Sequence, residues 1–361
     1  MGSHYNRSGP TDPIRPLEQA RALDPSFYLG RAAHEFDQNN ILATNWQIVA
    51  PAALVENSGD HVVREIGGKP ILIVRNAQGR LNGFYNVCRH RAGPIALCDG
   101  KGAKRLRCAY HGWIYDLDGQ LKITPQMDGA EGFDIAGIRL APIEVAEWCG
   151  MVFARAGTAG PSFDDFIADI APFCAPDHIR QMRYSHSRTY PVAANWKVYA
   201  DNYLEGYHVP VVHDGLNALI DYSNYTIELS QWASVQRSPM NDAKIYGMGE
   251  ALYVLAYPNT MLNILPGRMQ TNRIIATGPD SCEVEFSYYY LPGEDARADE
   301  DDAFSSEVQD EDAMICERVQ KGLASGAYTP GRLSPAQESA LWHFHNLLRS
   351  AYGADREPHD R

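Results

Sequence analysis

Cys88-Arg-His90-Arg-Ala-Gly93-Pro94 and Cys108-Ala-Tyr-His111-Gly-Trp113 are the two stretches that decide the reading of this chain. Each offers one cysteine and one histidine, and seventeen residues separate His90 from Cys108. Outward from them lie short β-branched runs: His61-Val-Val-Arg-Glu-Ile66, Lys69-Pro-Ile-Leu-Ile-Val-Arg75 and Arg80-Leu-Asn-Gly-Phe-Tyr-Asn-Val87. Gly67-Gly68 and Asn76-Ala-Gln-Gly79 punctuate these runs in the manner of hairpins. The same texture continues through Asp116-Leu-Asp-Gly119 to Gly150-Met-Val-Phe-Ala-Arg155. Residues 46–156 therefore read as a small all-β domain.

Two thiols and two imidazoles in paired short spacings form a metal-ligand set. A zinc finger with the same donors usually carries its histidines on a helix after the cysteine pair. Here each loop holds one donor of each kind, follows a strand and is flanked by turn residues, Gly93-Pro94 or Gly112. That mixed pairing suits a Rieske [2Fe–2S] centre, where two cysteines hold one iron and two histidines the other. A structural zinc is the competing assignment.

The remainder of the chain is mixed. Residues 1–45 are polar and proline-dotted, with a helical patch at 16–23. After 156–160, helical stretches are expected near 163–170, 196–208 and 304–323, and strand-like runs at 251–264, 273–277 and 283–291. The acidic run 294–302 reads as a solvated loop. With 361 residues, two or three domains are expected. The 45% hydrophobic and 21% charged content excludes wholesale disorder. A formal charge of -13, from 32 Lys+Arg against 45 Asp+Glu, disfavours a broad nucleic-acid-binding face. No run approaches 18 consecutive apolar residues, so no membrane span is expected. Seven cysteines, an odd number, and no apolar leader point to a reducing, cytoplasmic setting.

A second constellation follows Asn195-Trp-Lys197: Asp201-Asn-Tyr-Leu-Glu205-Gly-Tyr-His208-Val-Pro-Val-Val-His213. Glu205 and His208 stand three apart, so they are expected on one helix face. Pro210 is expected to stop or bend that helix and let His213 swing back toward the same point. Two imidazoles converging with a carboxylate make the facial triad of non-haem Fe(II) oxygenases. The third ligand must then come from far along the chain, with Asp310, Glu311 and Asp312 as candidates. On a helical wheel Phe304, Val308, Ile315, Cys316, Val319 and Leu323 form an apolar stripe. Asp312 falls within about 25° of its centre, Glu311 about 75° away and Asp310 opposite. A carboxylate on an inward face needs a partner, and Asp312 is the chosen ligand. The alternative is an acid placed for the helix dipole.

Cys88-Arg-His-Arg91, Cys108-Ala-Tyr-His-Gly-Trp113 and Tyr115-Asp-Leu-Asp-Gly119 resemble the Rieske motif of the Rieske non-haem iron oxygenases, in their catalytic α subunit. Respiratory-chain Rieske proteins add two cysteines where this chain has Gly93 and Tyr110, so their bridging disulfide is missing here. Cys98, Cys149, Cys174, Cys282 and Cys316 are then expected to be inert buried thiols. The stretch around His208 and His213 resembles the family's second motif, and Glu311-Asp312 before Val319-Gln-Lys-Gly-Leu323 resembles its third. The match spans roughly Trp46 to His345.

The resemblance implies an α+β protein: an all-β Rieske [2Fe–2S] domain (46–156) joined to a helix-grip-like catalytic domain with an antiparallel sheet (157–361). Segment 1–45 would pack on the latter. Cys88, His90, Cys108 and His111 would hold the cluster, and His208, His213 and Asp312 a mononuclear non-haem Fe(II). A homotrimer would place the Rieske histidines of one subunit beside Glu205 of the next, making Glu205 an electron-transfer bridge between subunits. Many members, including the naphthalene-type dioxygenases, carry Asp there; the oxygenases of quaternary ammonium compounds resemble this chain in having Glu. The chain shows no dinucleotide fingerprint, so electrons are expected from a separate NAD(P)H reductase, with or without a ferredoxin.

Three functions compete. The first is O2-dependent hydroxylation of a small aromatic substrate, favoured here because that group is larger. The second is a monooxygenase or N-demethylase of a quaternary ammonium compound such as a betaine or carnitine. The third is a non-catalytic iron–sulfur or zinc protein. An ammonium pocket should show an aromatic cage, for which Trp232, Tyr246 and Tyr253 are candidates. Arg268 could pair a substrate carboxylate, but a surface role is the first expectation for it.

Overall fold

Alternating β-branched residues between glycine turns pair as antiparallel strands. In a computed structural model, which describes residues 13–157, 160–219, 224–240 and 249–353, the first nine strands are β1 (Gln47–Pro51), β2 (His61–Ile66), β3 (Lys69–Arg75), β4 (Leu81–Tyr85), β5 (Leu106–Arg107), β6 (Ile114–Tyr115), β7 (Leu121–Ile123), β8 (Pro142–Trp148) and β9 (Met151–Arg155). Six of them form a sheet in the order β1-β9-β8-β4-β3-β2, and β5-β6-β7 form a small second one. Every pairing is antiparallel. Val49, Val62, Ile66, Ile71, Ile73 and Val152 supply one core of the large sheet. Cys88, Cys108, Trp113 and Tyr115 belong to a second core, with Leu72, Val74 and Leu106.

The compact β unit is Ile41–Phe166, wider at both ends than the expected 46–156. The reason is local. The Ala43 carbonyl accepts the N–H groups of Ala156 and Gly157, and the Trp46 indole donates to the Pro161 carbonyl at 3.2 Å. The second unit joins the described parts of Met1–Asn40 and Ile167–Arg361. Its seven strands are β10 (Arg183–Val192), β11 (Thr226–Leu229), β12 (Ala233–Pro239), β13 (Glu250–Ala256), β14 (Thr260–Leu265), β15 (Arg268–Gly278) and β16 (Ser281–Tyr290). They run antiparallel in the order β10-β16-β15-β14-β13-β12-β11. The helices in chain order are α1 (Gly30–Phe36), α2 (Phe163–Ile170), α3 (Pro176–Ile179), α4 (Trp196–Tyr203), α5 (Val209–Val212), α6 (Asp214–Leu219), α7 (Ala298–Ala324) and α8 (Ser339–Tyr352). Among the described residues no helix is long and apolar enough to cross a membrane.

Helix α4 is the central element of this unit. The Asn195 side chain caps it by accepting the Lys197 N–H at 3.0 Å. Trp196 and Lys197 are fully buried, and Asp37 receives both the Lys197 ammonium and the Trp196 indole. Tyr352 of α8 donates to the same carboxylate at 2.7 Å. One buried ion pair thus ties the segment before residue 40 and the C-terminal helix to α4.

Several expectations need correction. The helical patch at 16–23 is a single 3-10 turn, Leu17–Gln19. Pro25 disfavours helix at Asp24, whose side chain caps the next turn instead. The helix expected over 196–208 ends at Tyr203. The acidic run 294–302 is not a loop throughout, because residues from 298 onward form the start of α7. There Asp301 pairs with Arg268 and Asp302 with Arg188, carboxylates that also favour a helix N-terminus. Arg268 is accordingly buried rather than superficial. The face of α7 that packs inward is not the apolar stripe. It carries Asp301, Asp302, Ser305, Gln309, Asp312, Cys316, Gln320 and Leu323, while Val319 is exposed. Cys98 is exposed and Cys149 partly so.

Candidate metal centres

The two Cys/His segments fold into the same loop twice. The Cys88 N–H donates to the Gly93 carbonyl and the Cys108 N–H to the Trp113 carbonyl, both at 2.8 Å. In turn each cysteine carbonyl accepts the N–H four residues on, from Ala92 and from Gly112, both at 3.1 Å. That fourth residue is left-handed in each loop, at φ 56° for Ala92 and 70° for Gly112. Glycine adopts this conformation freely, whereas for alanine it costs about 1–2 kcal/mol. The loops also press together: a Cβ on Gly93 would stand 2.7 Å from Tyr110 Cβ and 3.2 Å from Cys108 Sγ.

Both cysteines are buried and both histidines half-buried. The imidazoles of His90 and His111 have centroids 4.6 Å apart, and His90 stacks on Trp113 at 4.7 Å. Cys88 Sγ lies 3.2 Å from the Tyr115 hydroxyl, which also accepts the Arg89 N–H. Burial, with the neighbouring Cys108 thiol, raises the Cys88 thiol above its ordinary range, against opposing hydrogen bonds from Tyr115 and the backbone. His111 is held below the usual histidine range by desolvation and by nearby His90 and Arg91, which favours the neutral ring a metal requires. His90 Nδ1 is buried without a hydrogen-bond partner. Such a nitrogen is costly unless it ligates something. Two thiols, two imidazoles and this orphaned nitrogen fit a [2Fe–2S] cluster of the mixed-ligand type.

The second centre is assembled from distant parts of one unit. After α4 ends, Glu205 and His208 meet through a turn. Glu205 Oε1 lies 2.7 Å from His208 Nδ1, and Oε2 accepts the His208 backbone N–H at 2.9 Å. Pro210 stands in the first turn of α5, where its missing N–H costs nothing; it starts a short helix instead of ending a long one. His213 follows that turn and is 1% exposed. Its Nε2 lies 3.2 Å from His208 Nε2 and 3.1 Å from Asp312 Oδ1. The ligand-capable atoms of His208, His213 and Asp312 all fall within 4.8 Å of one another. Two imidazole nitrogens and one carboxylate oxygen so close fit an Fe(II) facial triad.

Asp312 is oriented by Asn202, whose amide donates to Oδ1 at 2.6 Å, and by Gln309, which donates to Oδ2 at 3.3 Å. Gln309 is fixed in turn by the Tyr199 hydroxyl at 2.6 Å. Asp310 is exposed, and Glu311 reaches His213 Nδ1 at 2.6 Å rather than the ligand cluster. Burial opposes a charged His213, yet Asp312 and Glu311 on either side raise its pKa above the ordinary value. Asn202, Gln309 and the contact of Glu311 with His213 were not read from the sequence, although Asn202 lies within the second motif and Gln309 and Glu311 stand beside Asp312.

A cavity of about 470 Å³, part of it open to solvent, adjoins the triad. Tyr203, Tyr225, Tyr253 and Gln236 line it, together with Glu205 and Asp312. The Tyr203 hydroxyl donates to Asn263 Oδ1 at 2.8 Å, and Tyr225 to Gln236. Burial pushes the Tyr253 phenol up to about 12, against the opposing charge of Arg268, so it stays neutral. Of the expected cage, Tyr253 lines the cavity, Trp232 is not among its lining residues, and Tyr246 lies outside the described residues. Arg268 is engaged with Asp301 and does not line it.

Residues 45–139 match the family model of the Rieske [2Fe-2S] domain, and residues 179–354 that of the ring hydroxylating alpha subunit (catalytic domain). The chain is 33% identical to the chloroplastic choline monooxygenase of Arabidopsis thaliana, over 93% of its own length and 84% of that protein. It is 30% identical to the carnitine monooxygenase oxygenase subunit of Escherichia coli K12, over 93% and 95%. Among solved structures, a quaternary ammonium Rieske monooxygenase superimposes with a TM-score of 0.87 at 24% identity, covering 95% of this chain and 98% of the other.

Proposed function

Because the chain belongs to the Rieske non-haem iron oxygenases, oxidoreductases whose two domains imply a [2Fe–2S] cluster and a mononuclear non-haem iron, we propose that it is the oxygenase component of a monooxygenase acting on a quaternary ammonium compound. The observation that carries this reading is the cavity beside the triad, where three tyrosines stand with the carboxylates of Glu205 and Asp312. Aromatic faces and negative charge bind a cation that cannot donate a hydrogen bond, and the negative charge gives a neutral arene no advantage. The relatives named for choline and carnitine support this reading over the aromatic substrate first favoured.

In this reading Cys88, His90, Cys108 and His111 hold the cluster, and His208, His213 and Asp312 hold the iron. When bound, these groups supply single-electron transfer and O2-dependent hydroxylation. The protein's own part is positional. Asn202 and Gln309 aim Asp312, Glu205 fixes the His208 ring, and the tyrosines hold the cation against the triad. Glu205 bridges to a Rieske histidine of a neighbouring copy in a homotrimer, and a separate reductase supplies electrons. Support for the bridge is that Glu205 Oε1 grips the face of His208 away from His213. The test is turnover of choline, carnitine, glycine betaine and naphthalene with a surrogate reductase. Substrate-dependent O2 uptake with oxidised product from an ammonium compound is expected. Product from naphthalene alone would overturn the reading.

A further inference from the structure

Both histidines of the triad present Nε2 to the shared centre, because their close contacts with each other and with Asp312 run through that atom. Each therefore turns Nδ1 outward, and each Nδ1 meets a carboxylate: Glu205 at 2.7 Å for His208 and Glu311 at 2.6 Å for His213. Glu205 has a role in the proposed electron path. Glu311 has none. Yet Glu311 immediately precedes Asp312 on α7, and adjacent helical residues diverge by about 100°. The two carboxylates bracket the His213 ring, Asp312 at Nε2 and Glu311 at Nδ1. His213 is almost wholly buried, while the Glu311 side chain is 31% exposed. Its charge is hydrated on one side and directed at the imidazole on the other.

The geometry points to Glu311 as a positioning residue for the iron. It keeps the proton of His213 on Nδ1, leaves Nε2 with a free lone pair, and by its charge makes that nitrogen a stronger donor. Without it, His213 is free to carry its proton on Nε2, the tautomer that cannot ligate. One stretch of helix then supplies both a ligand and the group that prepares a second ligand. The inference rests on the metal site proposed above.

The test uses the full chain with its cluster intact and its mononuclear metal removed by a chelator. Co(II) is titrated in and its visible d–d band is followed. Glu311→Ala should bind Co(II) roughly 10–100-fold more weakly and shift the band, the range typical for loss of such a partner. Glu311→Gln keeps the size and can still accept the Nδ1 proton, so it should fall between the two. Asp310→Asn removes a charge from the same helix at an exposed position and should stay within about twofold of the unsubstituted chain, as neutral surface changes do. Unchanged affinity and band in Glu311→Ala would overturn the inference, as would an equal loss in Asp310→Asn. Should Glu311→Ala fail to fold, Glu311→Gln decides alone, and unsubstituted behaviour in it counts against the role. His213→Ala, run in parallel, judges the metal site itself. If it binds Co(II) like the unsubstituted chain, the site assignment fails regardless of Glu311.

Discussion

The Rieske unit and the catalytic unit bring their candidate metal donors together by opposite means. In Ile41–Phe166, thirteen Lys+Arg balance thirteen Asp+Glu, so the whole formal charge of -13 belongs to the other unit. The cluster donors lie within 24 residues of one another, on two loops whose backbone bonds repeat. The iron donors span 105 residues and depend on side chains that orient other side chains. A centre shaped by backbone turns keeps its ligands through local geometry. One shaped by side-chain relays depends on the packing of α4 against α7 and on charge. An acidic catalytic unit also raises the local concentration of a cationic substrate.

Four substitutions would break or sharpen this contrast. His208→Ala should abolish turnover and lose the mononuclear iron while the Rieske EPR signal persists; loss of that signal instead would mean that the second centre is misassigned. Glu205→Gln retains length without charge, so both metals should stay and reduction by the reductase should remain fast. Stopped-flow reoxidation of the cluster, with substrate and O2, should slow about 10–100-fold; unsubstituted rates would remove Glu205 from the electron path. Gly93→Ala replaces no ligand but drives a methyl into Tyr110 and against the Cys108 sulfur. It should cost about 1–3 kcal/mol and bleach the cluster while mononuclear metal is retained, read by iron and sulfide analysis. Gly322→Ala on α7 meets nothing within 4 Å. It should leave both metals in place and stabilise by about 0.4–1 kcal/mol in chemical denaturation.

The same contrast explains what could be read from the sequence. The candidate cluster donors were legible because a backbone-built site compresses its donors into two short words. His208 and His213 were legible for the same reason, although a turn and a fresh helix start join them, not one helix face. Asp312 does lie on the inward face of α7, but that face is mostly polar and is not the apolar stripe from which it was chosen. Strand β10 escaped notice because it is an edge strand rich in Arg, Ser, His and Thr, residues that protect an edge and hide its period. The lining of the cavity was not legible either. Tyr203 ends α4, Tyr225 precedes β11 and Tyr253 lies in β13, and only the fold gathers them.

A helix of 27 residues that buries Asp301, Asp302, Ser305, Gln309, Asp312 and Gln320 gains little from leaving water. Directed bonds hold it, and those around Asp312 are organised about the space the iron would fill. Emptying that space leaves three carboxylates, Glu205, Glu311 and Asp312, facing two imidazoles without a central cation. The middle of α7 should then open more often, and its amide hydrogens near residue 312 should exchange with deuterium sooner than those near Leu323. A chain that has not yet received iron would thereby expose a cleavable helix to a protease, and a loaded one would not.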